Sequence, residues 1–144
     1  MSTIIHAESL VNPTEDPSKV ERALRNILPS ARIQSSNLAD DVIKLEIRGE
    51  GFEFLATLRS LIKQERIRSA ARSILLKSAR EGFLRFWLNK QAAFAGRVSF
   101  CEPVGESPLG PISIRIETPD INRAVDFLAS LPGQGLYRGP HGET

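Results

Sequence analysis

Residues 112–117 read ISIRIE, and residues 42–48 read VIKLEIR. In both stretches apolar and charged or polar side chains alternate, which places them on opposite faces of a β-strand. A strand with one apolar and one polar face suits a sheet that is covered on one side only. The two stretches therefore predict a sheet with one face on the core and the other in solvent.

Other apolar patterns surround these two strands. Helices are predicted where apolar residues recur at a spacing of three and four, at residues 17–28, 52–63, 65–80 and 121–128. Further strands are predicted at residues 3–11, 31–35, 82–88 and 97–102, with a short helix or a loop at residues 89–96. Single helices do not separate successive strands, so a doubly wound parallel sheet is not expected. The order favours an α+β fold, with an antiparallel or mixed sheet and helices packed mainly on one face.

The chain has 144 residues, which suits one domain. We expect this domain to cover residues 1–132 and to be followed by a flexible tail rich in Gly and Pro at residues 133–144. No apolar run approaches the roughly 18–20 residues that span a bilayer, and the N-terminus has no basic stretch typical of a signal peptide. We therefore expect a cytoplasmic protein with no membrane partner.

The rare residue types argue against catalysis. Cys101 is the only cysteine, so neither an internal disulfide nor a cysteine-based zinc site can form. His6 and His141 are the only histidines, and neither lies in a pattern typical of a metal site or a hydrolase. No phosphate-binding glycine motif is present. The sequence predicts a protein that is not an enzyme and has no metal or cofactor.

The positive charge is concentrated in one segment. The net charge of the chain is only +2. Residues 59–97 nevertheless carry 10 basic and 2 acidic side chains, a net charge of +8, whereas residues 1–58 and 98–144 each carry a net charge of −3. We call residues 59–97 the basic segment. Its basic residues are Arg59, Lys63, Arg66, Arg68, Arg72, Lys77, Arg80, Arg85, Lys90 and Arg97.

The cluster of Arg and Lys indicates RNA as the binding partner. Binding of these side chains to phosphates releases counterions, and the planar arginine guanidinium matches the geometry of a phosphate group. A solvated helix surface is an equally good interpretation of the same residues. Four aromatic residues, Phe83, Phe86, Trp87 and Phe94, also lie in the basic segment. Packing in the core is favoured for them over stacking on RNA bases.

Several stretches resemble a known family. They are the opening strand with VNPTEDPSKVERALRNIL (11–28), LRSLIKQERIRSAARSILLKSA (58–79), FWLNKQAAFAGRVSF (86–100) and LGPISIRIETPDINRAVDFLA (109–129). The chain resembles a small archaeal family of uncharacterised proteins that is described as RNA-binding. The resemblance implies a fold related to ribosomal protein L-five, which contacts 5S ribosomal RNA, and a tendency to form homodimers in crystals. Through the shared motif LNKQAA it also nominates Asn89, Lys90 and Gln91 as a polar surface, with a hairpin or helix cap as the alternative role.

Three hypotheses follow. The first is non-catalytic binding to the phosphate backbone of structured RNA, with weak sequence specificity, through the basic segment. The expected contacts are all of its basic residues except Arg80, namely Arg59, Lys63, Arg66, Arg68, Arg72, Lys77, Arg85, Lys90 and Arg97. The second is a homodimeric interaction module of an RNA-processing or ribosome-associated complex, in which acidic flanks meet the basic segment or edge strands pair. The third is a small-molecule site around Asn89, Lys90 and Gln91.

Overall fold

The computed structural model describes residues 3–103 and 110–130. The strands are β1 (Ile4–Val11), β2 (Ile33–Ala39), β3 (Val42–Glu50), β4 (Phe83–Leu88), β5 (Phe100–Cys101) and β6 (Ile112–Glu117). The α-helices are α1 (Pro17–Ile27), α2 (Ala56–Gln64), α3 (Arg68–Ser78), α4 (Lys90–Phe94) and α5 (Ile121–Ala129), and a 3₁₀ turn (Phe52–Leu55) leads into α2. The predicted tail at residues 133–144 lies outside the described residues.

The six strands form one sheet in the order β2-β3-β1-β6-β4-β5, and every neighbouring pair is antiparallel. The predicted α+β class with an antiparallel sheet is thereby confirmed. The relation to ribosomal protein L-five stays a prediction. Strands β1 and β6 occupy the centre, although they come from opposite ends of the described chain. The fold is therefore closed by pairing between residues about one hundred positions apart in the sequence.

One face of the sheet is covered by helices. In β6, Ile112, Ile114 and Ile116 are fully buried, whereas the residues between them are only partly buried. The buried positions of the other long strands join the same core as the apolar faces of α1, α2, α3 and α5. Burial of these side chains is the main favourable contribution to folding. The opposite face of the sheet, here called the open face, carries the alternate residues of each strand.

Helix α1 begins where the sequence signals predict. Asp16 is the N-cap, and its carboxylate accepts hydrogen bonds from the backbone N–H of Ser18 at 3.0 Å and from the Ser18 hydroxyl at 2.8 Å. The same two bonds hold the pKa of the Asp16 carboxyl below its ordinary value. Pro17 occupies the first helical turn, where its missing N–H costs nothing. The caps and the apolar periodicity together fix this helix against the sheet.

Strand β2 is longer than the sequence analysis predicts and forms a hairpin with β3. Asp40 and Asp41 connect the two strands with φ angles of 50° and 66°. Positive φ at both central residues is the signature of a type I′ turn, which usually contains Asn-Gly or Asp-Gly. Because the turn residues are Asp-Asp and not Asn-Gly or Asp-Gly, the sequence analysis does not predict a two-residue hairpin turn here. The predicted strand at residues 31–35 is consequently too short and starts two residues too early.

The hairpin turn gives a first prediction. Replacing Asp41 by glycine is expected to raise the free energy of unfolding by about 0.5 kcal/mol. The strain energy of an L-residue at positive φ is relieved, and this gain exceeds the extra free-energy cost of ordering the more flexible glycine backbone. The Asp41→Ala variant has the same lost carboxylate but a Cβ, so it is expected to destabilise the protein. Urea denaturation measures both changes as shifts of the midpoint. A lower midpoint for Asp41→Gly than for the parent protein would contradict the assignment of the turn.

Within residues 3–103 and 110–130, no helix is long and apolar enough to span a membrane. In the same part of the chain, no group of three or more His, Cys, Asp and Glu residues is placed to hold a metal ion.

Candidate nucleic-acid interface

The structure distributes the eleven predicted site residues over three environments. On the helical layer, Arg59, Lys63, Arg66, Lys77, Gln91 and Arg97 are exposed, and Arg68, Arg72 and Asn89 are partly buried. Arg85 is exposed on the open face of the sheet, and Lys90 is buried in the interior. The basic segment is therefore continuous in sequence but not on the molecular surface.

Lys90 forms a buried ion pair in the interior. Its side chain is 5% exposed, and its Nζ donates to the backbone oxygen of Leu10 at 2.7 Å and to both carboxylate oxygens of Glu15 at 3.0 and 3.1 Å. Glu15 also accepts from the backbone N–H and side-chain amide of Asn12 at 2.9 and 3.0 Å. The motif NPTED (residues 12–16) therefore contacts the motif LNKQAA (residues 88–93), and this contact ties α4 to the turn between β1 and α1.

Arg72 and Arg97 form ion pairs between elements. The Arg72 guanidinium donates to Asp126 at 2.7 Å and to the backbone oxygen of Ala129 at 3.3 Å, which joins α3 to α5. Arg97 donates to both carboxylate oxygens of Glu65 at 3.1 and 3.3 Å. This hydrogen-bonded guanidinium holds the pKa of the Glu65 carboxyl below its ordinary value. Both arginines therefore stabilise contacts within the fold.

The polar residues around Lys90 have separate roles. Asn89 is the N-cap of α4, and its side chain accepts from the backbone N–H of Ala92 at 2.8 Å. Gln91 is exposed and lines a hollow of about 410 Å³ beside Phe94. The Phe94 ring is contacted by Lys19 and Arg22 at 6.0 and 5.9 Å from its centroid.

Exposed cations remain on α2, on α3 and on the turn between the two helices. Arg59 lies over the ring of Phe127 at 5.0 Å from the centroid, and Lys63, Arg66 and Lys77 are exposed. The turn is a Schellman motif, in which Arg66 N–H donates to Lys63 and Ile67 N–H donates to Ile62. Its left-handed position, φ 60°, is occupied by Arg66, although glycine is the usual residue there. The single helix predicted at residues 65–80 consequently begins three residues later, at Arg68.

The open face carries a second group of basic side chains, three arginines and one histidine, of which the sequence analysis named only Arg85 as a site residue. In the strand register, Arg48 lies opposite His6, His6 lies opposite Arg115, and Arg115 lies opposite Arg85, across four adjacent strands. We call these four residues the cationic row, after its three arginines. The cationic row lines a concavity of about 570 Å³, and Arg32, the residue before β2, lines it too. Of these residues, only Arg85 belongs to the basic segment.

Carboxylates and aromatic rings surround the cationic row. Arg48 pairs with Glu50 at 3.2 Å, Arg115 pairs with Glu117 at 3.1 Å, and His6 Nε2 lies 3.9 Å from Glu117. The guanidinium of Arg115 lies 3.8 Å from the centroid of Phe83, and that of Arg85 lies 5.8 Å from the centroid of Trp87. The alternation of β3, β4 and β6 places these side chains on the solvent face, but only the strand register brings them into one line.

Known proteins resemble this chain in sequence and in fold. Residues 4–118 match a family described as RNA binding. The UPF0201 protein of Pyrobaculum aerophilum is 39% identical over 133 residues, which cover 90% of this chain and 92% of that protein. The UPF0201 protein of Methanopyrus kandleri is 39% identical over 137 residues, which cover 88% of this chain and 86% of that protein.

The crystal structure of a UPF0201 protein from Methanococcus jannaschii superimposes with a TM-score of 0.80 at 29% identity, covering 94% of this chain and 98% of that one. A protein of Sulfolobus solfataricus, 18% identical with a TM-score of 0.65, shares the fold over 88% of this chain and 94% of its own. The chain therefore belongs to the RNA-binding family and is a relative of the archaeal UPF0201 proteins.

Proposed function

We propose that this protein binds structured RNA without a catalytic step, mainly through phosphate contacts from the exposed cations of the basic segment. The match of residues 4–118 to a family described as RNA binding carries this proposal. The exposed Arg59, Lys63, Arg66 and Lys77 support it, because they supply positive charge on one pair of consecutive helices. Such contacts give affinity with little sequence information.

The ion pairs of the fold narrow the set of RNA contacts. In this proposal Arg72, Lys90 and Arg97 mainly hold parts of the fold together, since each is engaged by a carboxylate from a distant part of the chain. A binding variant that removes Arg72 would also remove the ion pair between α3 and α5. Arg66 is the better probe, because its side chain is exposed and its backbone N–H donates to the backbone oxygen of Lys63 within the turn.

The backbone of Arg66 supports a role for its side chain. An L-residue in the left-handed region is strained, and glycine would relieve that strain at a helix C-terminus. Asp40 and Asp41 also have positive φ, but aspartate tolerates this region better than a long side chain does. A strained position that keeps a long cationic side chain is consistent with a binding role.

The test is a salt titration of binding to a labelled, structured RNA. Affinity is expected to fall steeply between 50 and 200 mM salt, because each phosphate contact adds about one unit to the log-log slope. Replacing Arg66 by glycine is expected to reduce that slope by about 1 and to leave the unfolding midpoint equal or higher. This separates a loss of binding from a loss of folding.

The matched control is Arg66→Lys, which retains the charge and the strained backbone and should keep the parent slope. An unchanged slope in Arg66→Gly would remove Arg66 from the interface. Absence of binding at low salt would overturn the proposal as a whole and leave the homodimeric interaction module as the better hypothesis.

A further inference from the structure

The cationic row lies on the open face of the sheet, away from the helical layer. Arg48, His6, Arg115 and Arg85 lie side by side on neighbouring strands of the open face. Neighbouring strands are about 4.8 Å apart, so the row extends roughly 14 Å across the sheet. We propose that this row is a site for a single-stranded RNA segment, whose phosphates follow it across β3, β1, β6 and β4. This inference rests on the proposed RNA-binding function and assigns a second, distinct surface to it.

Like charges placed directly opposite each other on neighbouring strands destabilise a sheet. Arg85 and Arg115 are such a pair. Glu117 compensates Arg115, while Arg85 is exposed and lies over Trp87. A phosphate group bound between the two guanidinium groups would attract both of them and offset their mutual repulsion. Relief of this repulsion therefore adds to the affinity for a phosphate group.

The acidic residues beside the cationic row favour single-stranded RNA over duplex RNA. On one side of the row lie Glu50 and Glu117, and on the other lie Glu46 and Glu8. Residues two apart on a strand are separated by about 7 Å, so the carboxylates flank the row closely on both sides. A duplex presents phosphates and minor-groove groups over a wide surface, part of which would fall on these carboxylates. A single line of phosphates can follow the row between these carboxylates.

Planar groups lie beside the cations at the β4 end of the row. Phe83 and Trp87 flank Arg85 on the open face and are partly buried. The Arg115 guanidinium covers the Phe83 ring at 3.8 Å. Unpaired bases stack on aromatic rings and on guanidinium planes, whereas the bases of a duplex are already stacked on each other. Both the charge pattern and these planes favour unpaired nucleotides.

The experiment compares two RNAs, a blunt duplex and the same duplex with a single-stranded 3′ overhang. The parent protein, with all 144 residues, is expected to bind the overhang RNA about tenfold more tightly than the blunt duplex. The double variant Arg48→Gln/Arg85→Gln is expected to lose about tenfold for the overhang RNA and little for the blunt duplex, since charged hydrogen bonds at the row are removed. The control Glu8→Gln changes a charge on the same face, and it should bind the overhang RNA at least as tightly as the parent protein does.

Five results are decisive. Loss of binding that is confined to the overhang RNA supports the site, provided that the unfolding midpoint of the double variant stays at the parent value. An equal loss for both RNAs, or no advantage of the overhang in the parent protein, overturns it while RNA binding itself stands. Displacement of the overhang RNA by adenosine monophosphate at equal nucleotide concentration would make the face a mononucleotide site instead. Failure of both RNAs to bind would refute the proposed function itself.

Discussion

Replacing Lys90 by methionine is expected to lower the free energy of unfolding by about 3–5 kcal/mol, the usual cost of removing one partner from a buried ion pair. Methionine keeps most of the side-chain volume, so little of the loss comes from a cavity. The loss arises because Glu15 and the backbone oxygen of Leu10 keep their buried polar atoms without the ammonium group. Chemical denaturation of the variant and the parent protein measures the difference directly.

Two further variants separate this cause from a general effect of charge. Lys77→Met removes an exposed lysine of the same segment and should change the stability by no more than about 0.5 kcal/mol. The double variant Lys90→Met/Glu15→Gln also neutralises the carboxylate, while the remaining amide oxygen can still accept from Asn12. It should be more stable than the sum of the single losses predicts, with a coupling of about 0.5–3 kcal/mol. Additive losses would show that Lys90 and Glu15 act independently.

The folded form of Lys90→Met is also informative about RNA. The sequence placed Lys90 among the RNA contacts, but the side chain is 5% exposed. Below its unfolding transition, the variant should therefore show the same salt slope as the parent protein. A slope reduced by about 1 would mean that RNA reaches Lys90 and opens the ion pair.

The sequence predicts most of the elements because their local signals agree with the fold. Strand β6 occupies the predicted residues 112–117, and α1 starts at the predicted cap. The errors lie where a backbone conformation is carried by an unusual residue. Asp41 in place of glycine conceals the β2–β3 hairpin, and Arg66 in place of glycine conceals the end of α2. Asn-Gly and Asp-Gly are the strong signals of such turns, so Asp-Asp gives only a weak signal and Arg66 gives none.

The site is less predictable, because it depends on strand register and on pairing between distant residues. Charge summed along the chain identifies the basic segment but counts Lys90 with the surface cations. The same sum conceals Arg48 and Arg115, which lie in the two acidic flanks. The alternation of β3 and β6 assigns both arginines to the solvent face. Only the antiparallel register β3-β1-β6-β4 aligns them with Arg85, and a shift by one residue would place them in the core.

Three aromatic residues of the basic segment, Phe83, Phe86 and Trp87, lie on β4 and divide between the two faces of the sheet. Phe86 is 1% exposed, and its ring packs against that of Phe100 at 5.6 Å between centroids. Replacing Phe86 by alanine is expected to cost about 3–5 kcal/mol of stability, because the large cavity cannot collapse in a packed core. Phe86→Leu removes less volume and should cost clearly less. Urea denaturation of both variants gives the comparison.

Trp87 is the matched control for Phe86, because it is the next residue on the same strand but faces the opposite side. Its replacement by alanine should cost less than half as much stability as Phe86→Ala, since its ring is only partly buried. The same replacement should weaken binding of the overhang RNA by about 1–3 kcal/mol if a base stacks there. Phe86→Leu should leave that binding unchanged. If Trp87→Ala destabilised the protein as much as Phe86→Ala and left RNA binding intact, the ring would be a packing element, and the open face would bind RNA through its cations alone.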